Sequence, residues 1–275
     1  MKFNQLLYLI ACMFVAIIAG CSEPVVEPIV EPSSTEESKA VSSESLPSRV
    51  TAAGTHFSEG RYTDTIEIAE ELVKEFPGNT TYWFLLGEAA FMAGDIERSC
   101  QVFDRLVEIN PKMKPSFWQR GLVLYYAEKF EEGVDQFTVH QTVNTQDVEN
   151  SVWHLMCLAK TIGVEEARKQ MIPIEFDTRP AMAEIFKMFA GEVQPQDVIK
   201  AAESAIVSSE QDRNTNLYYA HLYTGLYYEM IGQPEDSIAS MKEALAVAPD
   251  EKGILMAQVA KVHLQVRGVE TQQQK

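Results

Sequence analysis

At 275 residues and 46% apolar composition, the chain can bury a sizeable core and reads as one elongated domain with appendages. Its formal net charge of −17 excludes a nucleic-acid backbone as partner, because phosphate binding needs clustered Lys and Arg; neutral or basic partners are favoured. The cysteines Cys12, Cys21, Cys100 and Cys157 are too few and too scattered for a disulfide framework.

Residues 1–20 combine Lys2, an apolar stretch from Leu6 to Ile18 and the small pair Ala19-Gly20, which is the layout of a secretory signal peptide. The run Ile18-Ala19-Gly20-Cys21 resembles the lipobox of bacterial lipoproteins, so Cys21 is the expected lipidation site and membrane attachment. Each buried acyl methylene is worth about 0.8 kcal/mol, so an acylated Cys21 would hold the chain firmly on a bilayer. Ser22 in place of Asp resembles outer-membrane sorting, which gives a lipid-anchored periplasmic localisation as the expectation. Residues 21–48 hold the lipidated Cys and a tether with Glu23-Pro24, Glu27-Pro28, Glu31-Pro32 and then Ser and Glu; its six Glu and one Lys keep it extended.

From about residue 46 a 34-residue period sets in. Pro77 and Pro111 stand 34 apart, as do Gly87 and Gly121. Residues 80–113 carry Trp83-x-x-Leu86-Gly87, Gly94-Asp95, Ser99-x-x-x-Phe103 and Pro111, a pattern similar to the tetratricopeptide repeat, in which each unit is a helix-turn-helix. The expected fold is therefore an all-α solenoid over 49–268, with repeats at about 46–79, 80–113 and 114–147. A first helix follows from Val148 to about Thr161. Pro173, Pro180 and Pro195 then break the pattern into short helices near 164–171, 180–190 and 195–208, making 148–217 degenerate. Gly225, Tyr228, Gly232, Ser237, Met241, Ala244 and Pro249 restore the period in a repeat at 218–251, followed by a capping helix at 252–267 and a tail at 269–275.

In repeats of this kind the first helices line a concave face. The repeat register places Phe84, Phe91, Met92, Trp118, Leu122, Tyr125, Tyr126, Val152 and Met156 on it. Large aromatics dominate binding hot spots, so the expected ligand is a peptide or protein segment. The competing reading is that several of these residues are inter-helix core or lie under the chain's own C-terminal helices. Lys and Asn are scarce at the same positions, which argues against a carboxylate clamp.

His154 and Cys157 share a helix face and His140 is near in sequence, but no fourth ligand accompanies them and no third group orients the histidine. A metal- or thiol-dependent enzyme is thus the competing class, and packing is the favoured role for these residues. Phosphate loops, HExxH and GxSxG are lacking. The expectation is a non-catalytic chain with no cofactor, no metal and no catalytic residue.

Lipobox, tether, three repeats, irregular middle and late repeat together resemble the new lipoprotein I (NlpI) family. The local runs that carry the likeness are Trp153 to Ala159, Phe189-Ala190-Gly191 and Tyr223-Thr224-Gly225-Leu226-Tyr227-Tyr228. The resemblance implies an outer-membrane adaptor that presents cell-wall enzymes to partners such as a periplasmic protease, with a homodimer as the implied assembly. The alternative within the same class is an assembly or pilotin-type lipoprotein of an outer-membrane complex.

Overall fold

The computed structural model describes residues 45–249 and 252–269. The expected signal peptide, Cys21, nearly all of the tether and most of the tail lie outside the described residues. Within them the chain runs α1 (Leu46–Ser58), α2 (Tyr62–Glu75), α3 (Thr80–Met92), α4 (Ile96–Ile109), a 3-10 turn (Pro111–Ser116), α5 (Trp118–Tyr126), α6 (Phe130–His140), α7 (Val148–Ile162), α8 (Val164–Arg168), α9 (Met182–Ala190), α10 (Pro195–Ser204), α11 (Glu210–Met230), α12 (Pro234–Ala246) and α13 (Leu255–Val266). Among the described residues there is no strand, and no helix is long and apolar enough to cross a membrane.

Helix starts follow side-chain caps that occupy orphan backbone donors. Asn79 Oδ1 accepts from Thr81 N at 3.0 Å, Asp95 Oδ1 from Arg98 N at 3.2 Å, and Ser209 Oγ from Asp212 N at 3.0 Å. The turns inside the pairs α1/α2, α3/α4 and α11/α12 close through Gly60, Gly94 and Gly232, at φ of 77°, 83° and 78°. In α5/α6 the equivalent place is held by Glu128 at φ 58°, a left-handed conformation that costs a side chain energy. All four turns share one hydrogen bond across the helix end: Arg61 N to His56 O, Asp95 N to Ala90 O, Lys129 N to Leu124 O and Gln233 N to Tyr228 O, at 2.8–2.9 Å.

Inside each regular pair a glycine of the first helix receives a side chain of the second. A Cβ on Gly87 would stand 2.1 Å from the Phe103 ring, one on Gly121 2.4 Å from Phe137, and one on Gly225 2.9 Å from the Met241 methyl. The same spacing recurs in three pairs, so one packing device generates the repeat. Between α6 and α7 a second interlock sets the Cys157 sulfur 2.7 Å from where a Gly133 Cβ would be.

The irregular middle is pinned by charge. Arg179 hydrogen-bonds Asp147 at 2.6 Å, Asp177 at 2.6 Å and Glu149. Tyr223 OH donates to Glu149 Oε1 at 2.6 Å, tying the same cluster to α11. Ser151 Oγ donates to Ile172 O at 2.7 Å, and Gln146 Oε1 accepts from Glu175 N at 2.9 Å, so a segment without helix is still fastened to α7 and to the loop before it. α11 begins at Glu210, two turns before the start of the expected repeat at Tyr218.

The last helix lies across the solenoid. α13 packs against α12 and also against α3, far away in sequence. Leu255, Met256, Ala257, Val259, Ala260, Val262, His263 and Leu264 are all buried in it, which is the pattern of a helix enclosed on more than one side.

Candidate partner-binding face

The first helices α3, α5 and α7 present a continuous row of rings. Phe91 lies 5.8 Å from Tyr126, Tyr126 lies 6.2 Å from Trp153, and Tyr125 lies 5.4 Å from Trp153. Their tilted and edge-on geometries are those that aromatic pairs prefer. This row forms where successive first helices stack against one another, although Phe91, Tyr126 and Trp153 hold different positions within their repeats.

α13 covers it. The His263 ring stands 5.8 Å from Tyr126, and Tyr126 OH and His263 Nδ1 share a hydrogen bond of 3.1 Å. Near the other end of the helix Tyr218 OH donates to Met256 O at 2.7 Å, Tyr62 OH donates to Lys252 O at 2.6 Å, and Lys261 Nζ lies 5.9 Å from the Tyr62 ring.

Phe91, Met92, Leu122, Tyr125, Tyr126, Val152 and Met156 are buried, α13 packing on α3 and on the Tyr126 ring while α9 and α11 pack on α7, so in this arrangement they lie inside the chain instead of facing solvent. The physical reason is that an open aromatic face is costly in water and the chain supplies its own apolar helix to cover it. Phe84 and Trp118 remain partly exposed. Phe84 is braced by Phe103 at 6.1 Å and by Phe117 at 5.8 Å.

A polar knot lies where α5, α11, α12 and α13 meet. Glu229 Oε2 is 3.2 Å from His263 Nε2 and accepts from Arg267 Nε at 3.0 Å, while Glu229 Oε1 accepts from Tyr125 OH at 3.0 Å. Ser237 Oγ is 3.4 Å from His263 Nε2. Burial opposes ionisation of Glu229, but the hydrogen bonds and charges of His263 and Arg267 outweigh it and hold its carboxyl well below the usual range. The tyrosines respond oppositely: burial, then the Glu229 charge, pushes Tyr125 and Tyr126 well up, so both stay protonated.

Glu88 sits one turn beyond Phe84 on α3. Burial raises its pKa to about 8, only partly opposed by a hydrogen bond with Gln119. Glu88 falls on a concave position of the repeat, but in so acidic a chain it reads as one more solvated carboxylate. Glu229 lies on α11, His263 on α13 and Arg267 at the end of α13, and no spacing in the sequence joins Glu229 to the other two.

His140, His154 and Cys157 have separate surroundings. His140 Nδ1 is 2.8 Å from Pro115 O, and the buried His154 leaves Nδ1 without a partner. Burial lowers the His154 pKa and pushes the Cys157 thiol far up, which suppresses the thiolate a nucleophile needs. Cys100 and Cys157 are both free and buried. Among the described residues no group of three His, Cys, Asp or Glu side chains is placed to hold a metal ion.

A crystal structure of MamA protein aligns with 73% of this chain and 90% of its own, at 12% identity and a TM-score of 0.43. A crystal structure of YrrB, described as a TPR protein with an unusual peptide-binding site, covers 79% of this chain and 92% of its own, at 16% identity and a TM-score of 0.41. Both likenesses are distant. Residues 51–114 match the tetratricopeptide repeat family, and the interlock of Gly87 with Phe103 inside that segment recurs outside it at Gly121 and Gly225, so the fold of the chain is a tetratricopeptide-repeat solenoid.

Proposed function

We propose that this chain is a non-catalytic protein-interaction adaptor, anchored through lipidated Cys21 to a bacterial envelope membrane, with the outer membrane favoured. The observation that carries the adaptor reading is the stacked, interlocked helix pairs, which build an extended face along the described residues. Repeat stacks of this kind serve as surfaces for extended or helical segments of other proteins. Ile18-Ala19-Gly20-Cys21 and the acidic tether support the anchor, and the resemblance to the new lipoprotein I family supports a role among cell-wall enzymes and their partners, with the homodimer as part of that reading.

Phe84 and Trp118 are the aromatic groove positions that a partner reaches without rearrangement. A photo-crosslinking residue at Trp118, compared in native envelopes with one at the exposed Asp135, tests the face. Discrete adducts at Trp118 that are lost with Phe84→Ala are expected; the same adduct pattern from both positions would refute the assignment. For the anchor, Cys21→Ser is expected to release the chain from the membrane fraction, and unchanged fractionation would refute lipidation.

A further inference from the structure

We infer that the aromatic row of α3 and α5 is a helix-binding groove whose resident ligand is α13, and that it accepts in place of α13 a partner helix apolar on more than one face, with a basic residue at its C-terminal end. This rests on the adaptor reading and names the class of partner. The occupant seen in the structure defines the ligand. α13 offers Met256, Ala260 and Leu264 on one stripe and Val259, His263 and Arg267 on the next, at the spacing of successive helical turns. Small Ala257 and Ala260 permit close approach, His263 meets Tyr126, and Arg267 meets the ionised Glu229 at the end of the groove. A partner helix needs the same apolar stripe and the same terminal cation, in keeping with a chain of net charge −17.

α13 is the element suited to exchange. The ladder from α1 to α7 packs each helix on its chain neighbour; α13, the last helix, packs on its neighbour α12 and also on α3, far away in sequence. It can leave without breaking the succession of the others. What it loses in apolar burial, an incoming helix of like pattern restores, so the exchange is decided by the polar knot at Glu229 and by the local concentration of a tethered helix.

Native-state hydrogen exchange on the full chain tests detachment. Amides from Val259 to Leu264 are expected to exchange through an opening that leaves Leu155 and Met156 of α7 protected. Glu229→Gln is expected to speed α13 exchange by about 10- to 100-fold, the loss of hydrogen bonds to a charged group, with α7 unchanged. If α13 and α7 exchange together in the wild type and respond equally to the variant, α13 is permanent core and the inference fails.

A lock keeps the test open should Glu229→Gln not fold. A Cβ built on Gly94 stands 3.8 Å from Gln265 Cβ, a disulfide span, so Gly94→Cys with Gln265→Cys can tie α13 down, the strain of a side chain at φ 83° being common to the reduced and oxidised forms that are compared. A fluorescent peptide of residues 252–269 is expected to bind the reduced pair and not the oxidised one; binding insensitive to the lock, or none in either state, overturns the inference. Loss of the Trp118 adducts with α13 opening intact would instead remove the adaptor reading alone.

Discussion

Gly87→Ala measures how tightly the repeat is locked. The added Cβ would lie 2.1 Å and 2.4 Å from two carbons of the Phe103 ring, where carbon atoms settle at about 3.5–4.0 Å. The ring has nowhere to go: Phe103 is fully buried, with Phe117 at 4.6 Å and Phe84 at 6.1 Å. Overpacking of this kind costs about 1–3 kcal/mol, and a clash this deep belongs at the upper end. Replacing glycine by alanine inside a helix returns about 1 kcal/mol, leaving a net loss of about 2 kcal/mol. Gly54 in α1 is the internal control, because a Cβ there meets nothing within 4 Å; Gly54→Ala should gain about 0.5–1 kcal/mol. Urea unfolding followed by far-UV circular dichroism compares the two, with equal m-values as the check on comparability. A neutral or stabilising Gly87→Ala would refute the interlock, as would failure of Phe103→Leu to restore any of the loss.

Glu128→Gly should stabilise the chain by about 1 kcal/mol in the same assay, since it removes the left-handed penalty at the one regular turn without glycine; Gly94→Ala should do the reverse. Glu88 carries a pH signature. Its folded pKa of about 8 lies above the ordinary value of 4.5, so its contribution is full below pH 4.5 and declines as pH rises towards 8, by up to about 1.4 kcal/mol per unit. Glu88→Gln should flatten stability between pH 4.5 and 8, and an unchanged slope would refute the burial of that carboxyl. Arg179→Met strips Asp147, Glu149 and Asp177 of their cation and should cost about 3 kcal/mol, with hydrogen-exchange protection lost first at the amides of Glu175 and Phe176.

The repeat was legible because its packing device uses residue types that announce themselves. Gly87 and Phe103, Gly121 and Phe137, Gly225 and Met241 keep one spacing, and each glycine is where it is because a side chain needs the room. Glu128 was not legible as a turn residue, since hydrogen bonding across the helix end imposes the left-handed backbone whatever the side chain. Nor was the start of α11: Glu210 to Asn214 carry no apolar residue, and the helix there is set by the Ser209 cap. The middle segment is placed by Arg179 reaching residues up to 32 positions away, which no local pattern records. For α13 a signal was present, because apolar residues on nearly every side of Leu255 to Leu264 mark a helix covered from more than one direction. Composition cannot say which element does the covering.

That placement changes what kind of solenoid this is. In an open stack each repeat contacts only its neighbours, and stability is close to a sum over units. Here Tyr62 of α2, Tyr126 of α5, Tyr218 of α11 and Ser237 of α12 all reach the segment from Lys252 to His263, so early and late repeats share one helix. Closing the array this way buries an aromatic face that would otherwise stand in water, and it makes that face conditional. The regular repeats determine its shape and chemistry, but access to it passes through α13 and the Glu229 knot, whereas Phe84 and Trp118 stay reachable at its edge. On the proposed adaptor reading, a partner that meets this chain therefore has two surfaces of different cost: a small one always open, and a large one whose affinity is reduced by whatever free energy holds α13 in place.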